Sequence, residues 1–542
     1  MSQVEAVNAR AAAGTWSAAA RRTLLRGRTT PTALLGVAIA VALLVLLPLG
    51  FLLEQALSIG WRQVQALLFR AFVGKLLKNT VLLVALSTTA CVVLGVAVAW
   101  LVERTDLPGR RVWAVLAALP ITVPAFVTSY SWVSITPAVQ GFGGAALIVT
   151  LAYYPLVYLP VAAVLRGLDP ALEESARSLG SGPWRTFARV TLPQTRLALL
   201  GGALLVAVHL LSEFGAFAML RFQTFTTAIY DEYRLSFDGP AASMLATVLV
   251  LLCLALLLGE LALRGRARYA RVDPGTPRPP THARLGRMRW PSFAGLSVLV
   301  ALALGLPLVT LVYWTLHGGS TTFPVVTLLS ATSKSLELGL GAALLTTLLA
   351  LPVSILAVRH PSRLAATLER AAYLPYALPG IVVALSLIVA AVHYVPALYG
   401  TTGLLLIAYA ILALPLALVA TRAALAQAPP VHEELARSLG CGPLRALMRV
   451  TLPRILPGLG AAAALVFLAT ITELTATLLL SPIGTQTLAT QFWADASTRS
   501  FGAAAPYAAL MVAVSALPTC LLTRRFGASS ASNRSSASSA AR

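Results

Sequence analysis

The sequence predicts an all-α integral membrane protein with about twelve transmembrane helices, built as two six-helix halves of the same topology. Three observations predict it. Of 542 residues, 58% are hydrophobic and only 11% charged, with a mean hydropathy of +0.81, whereas an ordinary soluble domain carries about 25% charged residues. The apolar residues gather into long runs separated by short basic stretches. One 21-residue segment occurs twice, 260 positions apart. Together these exclude a water-soluble globular enzyme, a disordered chain and a coiled coil.

The spans follow from length. A helix needs about 20 apolar residues to cross a hydrocarbon core about 30 Å thick. Six stretches qualify in the first half: 34–53, 81–101, 112–133, 145–165, 197–220 and 241–263. Six more follow at 293–316, 336–358, 371–392, 402–425, 459–480 and 503–522. The fourth is the least clean, since it holds Tyr153, Tyr154, Pro155 and Pro160. The first half is therefore expected at 34–263 and the second at 293–522.

Orientation follows from charge. Lys and Arg number 41 against 19 Asp and Glu, a net charge of +22. In a soluble protein that balance would suggest nucleic acid; between apolar runs it suggests loops anchored at a membrane surface, with no nucleic-acid partner. With the N-terminus in the cytoplasm, 33 of the basic residues fall on the cytoplasmic face and 8 outside, so both ends are expected inside. Residues 1–33 read as a basic cytoplasmic N-terminus and not a cleavable signal, because no apolar core precedes Leu34. Residues 264–292, with eight Arg and five Pro, read as a cytoplasmic linker, and the Ser/Ala-rich 523–542 as a disordered cytoplasmic tail. The four cysteines are scattered, so neither a disulfide framework nor a metal site is indicated.

The repeat is the most specific signal. Glu173 to Pro193 recurs as Glu433 to Pro453, with 15 of 21 positions identical, each copy in a cytoplasmic loop after the fourth span of its half. Such a parallel repeat is a transporter architecture. The chemistry of the loop, taken as 169–193 and 429–453, is that of a rigid docking element. Asp169 can cap a helix whose first turn holds Pro170, Glu173 and Glu174, where a helix N-terminus favours Pro and acids. Gly180 suits the left-handed residue that ends this helix, and Gly182-Pro183 can start a second one. Ala176, Leu179, Trp184 and Phe187 offer apolar contacts, and Arg177, Arg185 and Arg189 face water, head groups or a partner. A loop that only anchored topology would need charge but not this residue order.

Counted from Glu174, Gly180 is position 7, Val190 position 17, Leu192 position 19 and Pro193 position 20; Glu434, Gly440, Val450, Leu452 and Pro453 repeat the spacing. This resembles the EAA loop of the permease subunits of bacterial ABC importers, with Ser175 and Leu435 in place of the first Ala and Val in place of Ile. The resemblance implies the type I importer permease fold. It also implies that Glu173, Glu174, Ala176, Gly180, Leu192 and Pro193, with Glu433, Glu434, Ala436, Gly440, Leu452 and Pro453, form two coupling loops, each docked on one copy of a separate cytoplasmic ATPase. Ser212-Glu213-Phe-Gly-Ala216 with Thr224 to Tyr230, and Glu473 to Leu480 with Thr487 to Thr490 and Phe492-Trp493, are most similar to the fused two-domain ferric iron permeases. Leu119-Pro120, Val123-Pro124, Leu374-Pro375 and Pro379-Gly380 fit their Pro-broken third spans. Thiamine, phosphonate and polyamine permeases share much of this skeleton.

Glu213 and Glu473 occupy matched positions in the fifth and eleventh spans. A carboxylate inside a span is a functional-site candidate. The pair could face a pathway, where hard oxygen ligands suit a hard cation, or each could be a structural acid hydrogen-bonded to Ser, Thr or backbone. Glu337 reads as structural beside Lys334, His209 as a satisfied core residue, and Tyr153, Tyr154 and Tyr158 as interfacial anchors. No G-x-x-x-x-G-K-[ST] phosphate loop is present. ATP is thus expected to be used by the partner, with no cofactor bound by this chain and no enzymatic role. The short outer segments imply a separate solute-binding protein. An ion-coupled secondary transporter also accommodates twelve spans, but leaves the doubled loop without a purpose.

Overall fold

The computed structural model describes residues 32–58, 60–168, 171–264, 283–318 and 325–516. The expected tail at 523–542, residues 1–31 of the basic N-terminus, most of the linker, and the Asp169-Pro170 cap lie outside them. The described residues hold helices and no strand; one isolated bridge joins Thr105 and Ala283. Helices dominate because a backbone in hydrocarbon must satisfy its own hydrogen bonds.

Among the described residues each expected span falls at least in part on helix. Eight helices among the described residues are long and apolar enough to cross a membrane: Thr32–Gln55, Ala71–Arg104, Phe142–Gly167, Gly239–Glu260, Gly286–His317, Val325–Arg359, Thr402–Gln427 and Pro443–Ile471. Three bent helix pairs are long and apolar enough if each is taken as one span: Arg110–Thr122 with Ala125–Ile135, Phe187–Gln194 with Arg196–Ser212, and Arg363–Ala377 with Gly380–Tyr394. At the place of the expected twelfth lies a shorter apolar helix, Phe501–Ala516, where the described residues end. The bends at the third and ninth spans come at Pro124 and Pro379, each the residue before a restarted helix. The first of them turns by 91°.

The chain forms two compact units. One comprises Met1–Leu47, Leu338–Tyr376 and Leu406–Thr470, and the other Pro48–Glu337, Ala377–Leu405 and Ile471–Arg542. In the smaller unit, Ala38, Val41, Ala42 and Val45 of the first helix pack with Ala343, Ala350, Val353, Leu414 and Val466. In the larger unit, Leu296 and Ala303 of the seventh span pack with Cys91, Val149, Tyr158 and Val206. The first helix of each repeat therefore packs one face against helices of the other repeat.

Small residues set the closest packing in the larger unit. A Cβ on Gly95 would lie 2.7 Å from Val157 Cβ, and one on Gly202 2.9 Å from Val157 Cα, so two helices approach the Pro155–Gly167 helix from either side only because both residues lack side chains. Gly201, next in sequence, has no atom within 4 Å of its added Cβ. Gly202→Ala is therefore expected to destabilise the protein by about 1–3 kcal/mol while Gly201→Ala leaves it unchanged, read as thermal unfolding in detergent. Equal melting of the two variants would contradict this packing.

Candidate functional site

The duplicated loops fold alike. Ala171–Ser178 and Val431–Ser438 each carry two acids in the first turn and an Arg in the last, the arrangement that favours the helix dipole. Each ends on a left-handed glycine, Gly180 at φ 83° and Gly440 at φ 87°. Ser181 N–H donates to Ala176 O and Cys441 N–H to Ala436 O, both at 3.0 Å, which satisfies carbonyls the helix end would leave bare. Short helices Pro183–Thr186 and Pro443–Ala446 follow, each leading into a wide π-type turn, Phe187–Thr191 and Leu447–Thr451. Phe187 packs edge-on against Trp100, with ring centroids 6.0 Å apart. The Trp184 side chain lies outside the described residues.

The two acids of each doublet part company. Glu174 and Glu434 are exposed, as are Arg177, Arg185 and Arg189 and their counterparts Arg437, Arg445 and Arg449. Glu173 turns inward, where its Oε1 accepts from Thr191 Oγ1 at 2.8 Å and lies 3.5 Å from Arg104 Nη2. Glu433 does the same, accepting from Thr451 Oγ1 at 2.8 Å and from Arg359 Nε at 3.1 Å, with Arg359 Nη2 at 3.0 Å completing the ion pair. Ala176, Ala436, Leu192 and Leu452 are half-buried, and Pro193 and Pro453 exposed. Leu179 and Leu439 stand at the bends 86% and 84% exposed, a bare apolar tip on an otherwise charged loop. Arg104, Arg359, Thr191 and Thr451 did not emerge from sequence reasoning. A signal existed: each arginine is the last residue of the second long apolar helix of its half.

The second constellation lies where the fifth and eleventh spans stop. The sequence expectation carried these spans to 220 and 480, but helix ends at Ser212 and Ile471. Glu213 is the cause in the first copy: its Oε1 accepts Ala216 N–H at 2.9 Å, and its carbonyl accepts Thr226 Oγ1 at 2.6 Å instead of a helical N–H. Glu473 repeats this with Ala476 N–H at 3.1 Å and Thr477 Oγ1 at 2.5 Å. Both acids therefore make the backbone and hydroxyl hydrogen bonds of structural acids. The two turns that carry them meet, since a Cβ on Gly215 would lie 2.9 Å from Leu474 Cδ2. Tyr153 OH donates to Glu213 Oε2 at 2.5 Å, a role beyond interfacial anchoring. Its ring lies 5.6 Å from that of His209, whose Nδ1 meets Leu205 O at 2.8 Å; the imidazole is satisfied, as expected, although its side chain is exposed. Lys334 Nζ meets Glu337 Oε1 at 2.9 Å, as expected.

Gly215 allows the matched turns to meet. A Cβ there would lie 2.8 Å from Phe126 Cβ and 2.9 Å from Leu474 Cδ2. Aromatic rings from both repeats surround the turns: Phe214 with Trp493 at 5.2 Å, Phe126 with Phe492 at 5.4 Å and Tyr130 with Phe492 at 5.2 Å. Thr224 with Thr227, and Thr487 with Thr490, form the capping boxes that start the next helices, Phe225–Arg234 and Leu488–Ser497.

The model of the binding-protein-dependent transport system inner membrane component matches residues 91–263 and 350–529, which include both loops and both carboxylates. The chain belongs to this family. The permease is thus a multi-pass membrane protein of the ABC importer class, whose members work with an ATPase and a solute-binding protein. It is 40% identical over 490 residues to the Fe(3+)-transport system permease protein FbpB 2 of Haemophilus influenzae, covering 90% of this chain and 97% of that one. It is 31% identical over 247 residues to the sulfate transport system permease protein CysT of Escherichia coli, covering 42% of this chain and 89% of that one. With the molybdenum transport system permease protein ModB of Escherichia coli the identity is 32% over 139 residues, 22% of this chain and 60% of that one.

Gly440→Val is expected to strain the loop of the permease by about 1–2 kcal/mol, because a left-handed backbone crowds any Cβ. The readout is faster tryptic cleavage at Arg437 and Arg445; an unchanged cleavage rate would contradict the bend.

Proposed function

We propose that this permease translocates ferric iron, delivered by a solute-binding protein, by alternating access driven by a separate ATPase. The observation that carries the substrate is the 40% identity sustained over 97% of a permease named for Fe(3+) transport, against matches to less than half of this chain for the sulfate and molybdenum permeases. The chemistry of the inner site supports it. Two carboxylates and a phenol are hard oxygen donors suited to a hard cation, and they gather where the spans are broken. Glu213 and Glu473 are assigned to the pathway on this basis.

Two copies of the ATPase dock on the two loops, Glu173 to Pro193 and Glu433 to Pro453, with the exposed Glu174 and Glu434 and the apolar tips at Leu179 and Leu439 as contact points. ATP is bound and hydrolysed by that partner, and this chain is a transport subunit, not an enzyme. Both termini lie in the cytoplasm, supported by the excess of basic residues on that face. Closure of the ATPase pair draws the loops together and opens the pathway outward; hydrolysis resets it. A secondary transporter would need none of this docking surface.

Changing Glu174 and Glu434 to Arg together is expected to abolish co-purification of the ATPase and to lower uptake at least tenfold. Full uptake in this variant would contradict the docking role. Uptake of radiolabelled ferric iron, with labelled thiamine as control, is expected to fall at least tenfold in Glu213→Gln with Glu473→Gln, with the complex still assembled. Thiamine uptake by the parent protein would contradict the substrate.

A further inference from the structure

Each loop is tied to the body of its unit by the same three side chains. Arg104, Glu173 and Thr191 form one set and Arg359, Glu433 and Thr451 the other. The arginine ends the long second helix of its half, the glutamate lies in the first turn of the docking helix, and the threonine closes the π-type turn that leads into the next span. The wide turn brings that threonine hydroxyl back to the carboxylate. Three elements thus converge on one carboxylate oxygen, Oε1 of Glu173 or of Glu433. The arrangement arises independently in two compact units, so it is a feature of the repeat.

The two copies are drawn to different degrees. Arg359 holds Glu433 through two nitrogens and also donates to Ala428 O at 2.8 Å. Arg104 stands 3.5 Å from Glu173, and its three guanidinium nitrogens are buried without a hydrogen-bond partner. A buried cation in that position is drawn to any acceptor that approaches, and Glu173 is the nearest carboxylate. Arg104 also anchors the chain returning from the linker: Ala283 N–H donates to Arg104 O at 2.8 Å and Leu285 N–H to Asp106 Oδ1 at 2.9 Å.

We propose that Arg104 and Arg359 are positioning residues that latch each docking loop to the second helix of its half, so that a push on the loop becomes movement of the helices. The latch at Arg359 is drawn tight, and the one at Arg104 has room to close. A loop without its latch still presents its outer face but yields locally when the motor closes. ATP is then spent without transport. This rests on the docking role proposed above.

The test uses the assembled permease, ATPase and binding protein in liposomes, measuring ferric iron taken up and ATP hydrolysed together. Arg359→Gln and Glu433→Gln are expected to retain the ATPase but to lower the iron-to-ATP ratio at least fivefold. Arg359→Lys, which keeps the charge, is expected to recover part of it, and Arg104→Gln to lower the ratio less than Arg359→Gln. A ratio equal to the parent's in Arg359→Gln and Glu433→Gln overturns the latch, even where both rates fall in parallel. Glu174→Arg with Glu434→Arg in the same assay separates the two ideas. If that variant keeps the ATPase, the docking reading fails; if it loses the ATPase while the latch variants keep the parent ratio, only the latch fails.

Discussion

A polypeptide inside hydrocarbon has no water to complete its hydrogen bonds, and every interruption of helix there needs a side chain in place of the missing backbone partner. This constraint explains which polar residues the permease keeps within its spans. Where the fifth and eleventh spans stop, Glu213 and Glu473 cap the next turn, and Thr226 and Thr477 serve the carbonyls that helix would have served. The same acids that make irregular backbone tolerable bring oxygen donors to the breaks in the fifth and eleventh spans. The hydrogen bonds of a structural acid are thus compatible with the pathway role proposed for these glutamates.

The loops obey the opposite logic. They are short, charged and exposed, and little apolar burial fixes them. A buried carboxylate beside a guanidinium is costly to leave unpaired, and that penalty supplies the rigidity that packing does not. The doublet divides the labour: the first acid secures the loop from within, and the second faces outward with the leucine tip.

Much of this was legible in the sequence. The apolar runs fall largely on helix among the described residues, Pro124 and Pro379 marked two of the breaks, and the repeat located both loops and the glycines that bend them. Three things were not legible. The span ends at Ser212 and Ile471 were missed because Glu213 and Glu473 sit within apolar runs, and hydropathy has no sense of a cap. The partners of Glu173 and Glu433 were missed because the pairing joins separate helices, and no periodicity links them. The exchange of first helices, with Val41 among second-half residues and Leu296 among first-half residues, was missed because an apolar stripe does not say which groove it fills.

The most direct test of the account uses the matched positions Ser181 and Cys441 at the two bends. In a permease whose other cysteines are removed, a thiol at either position (Ser181→Cys, or the native Cys441) is to be labelled with a membrane-impermeant maleimide in oriented vesicles. The account predicts labelling from the cytoplasmic face alone, and protection at both positions once the ATPase is bound. Labelling from the outer face, or reactivity unchanged by the ATPase, would contradict it.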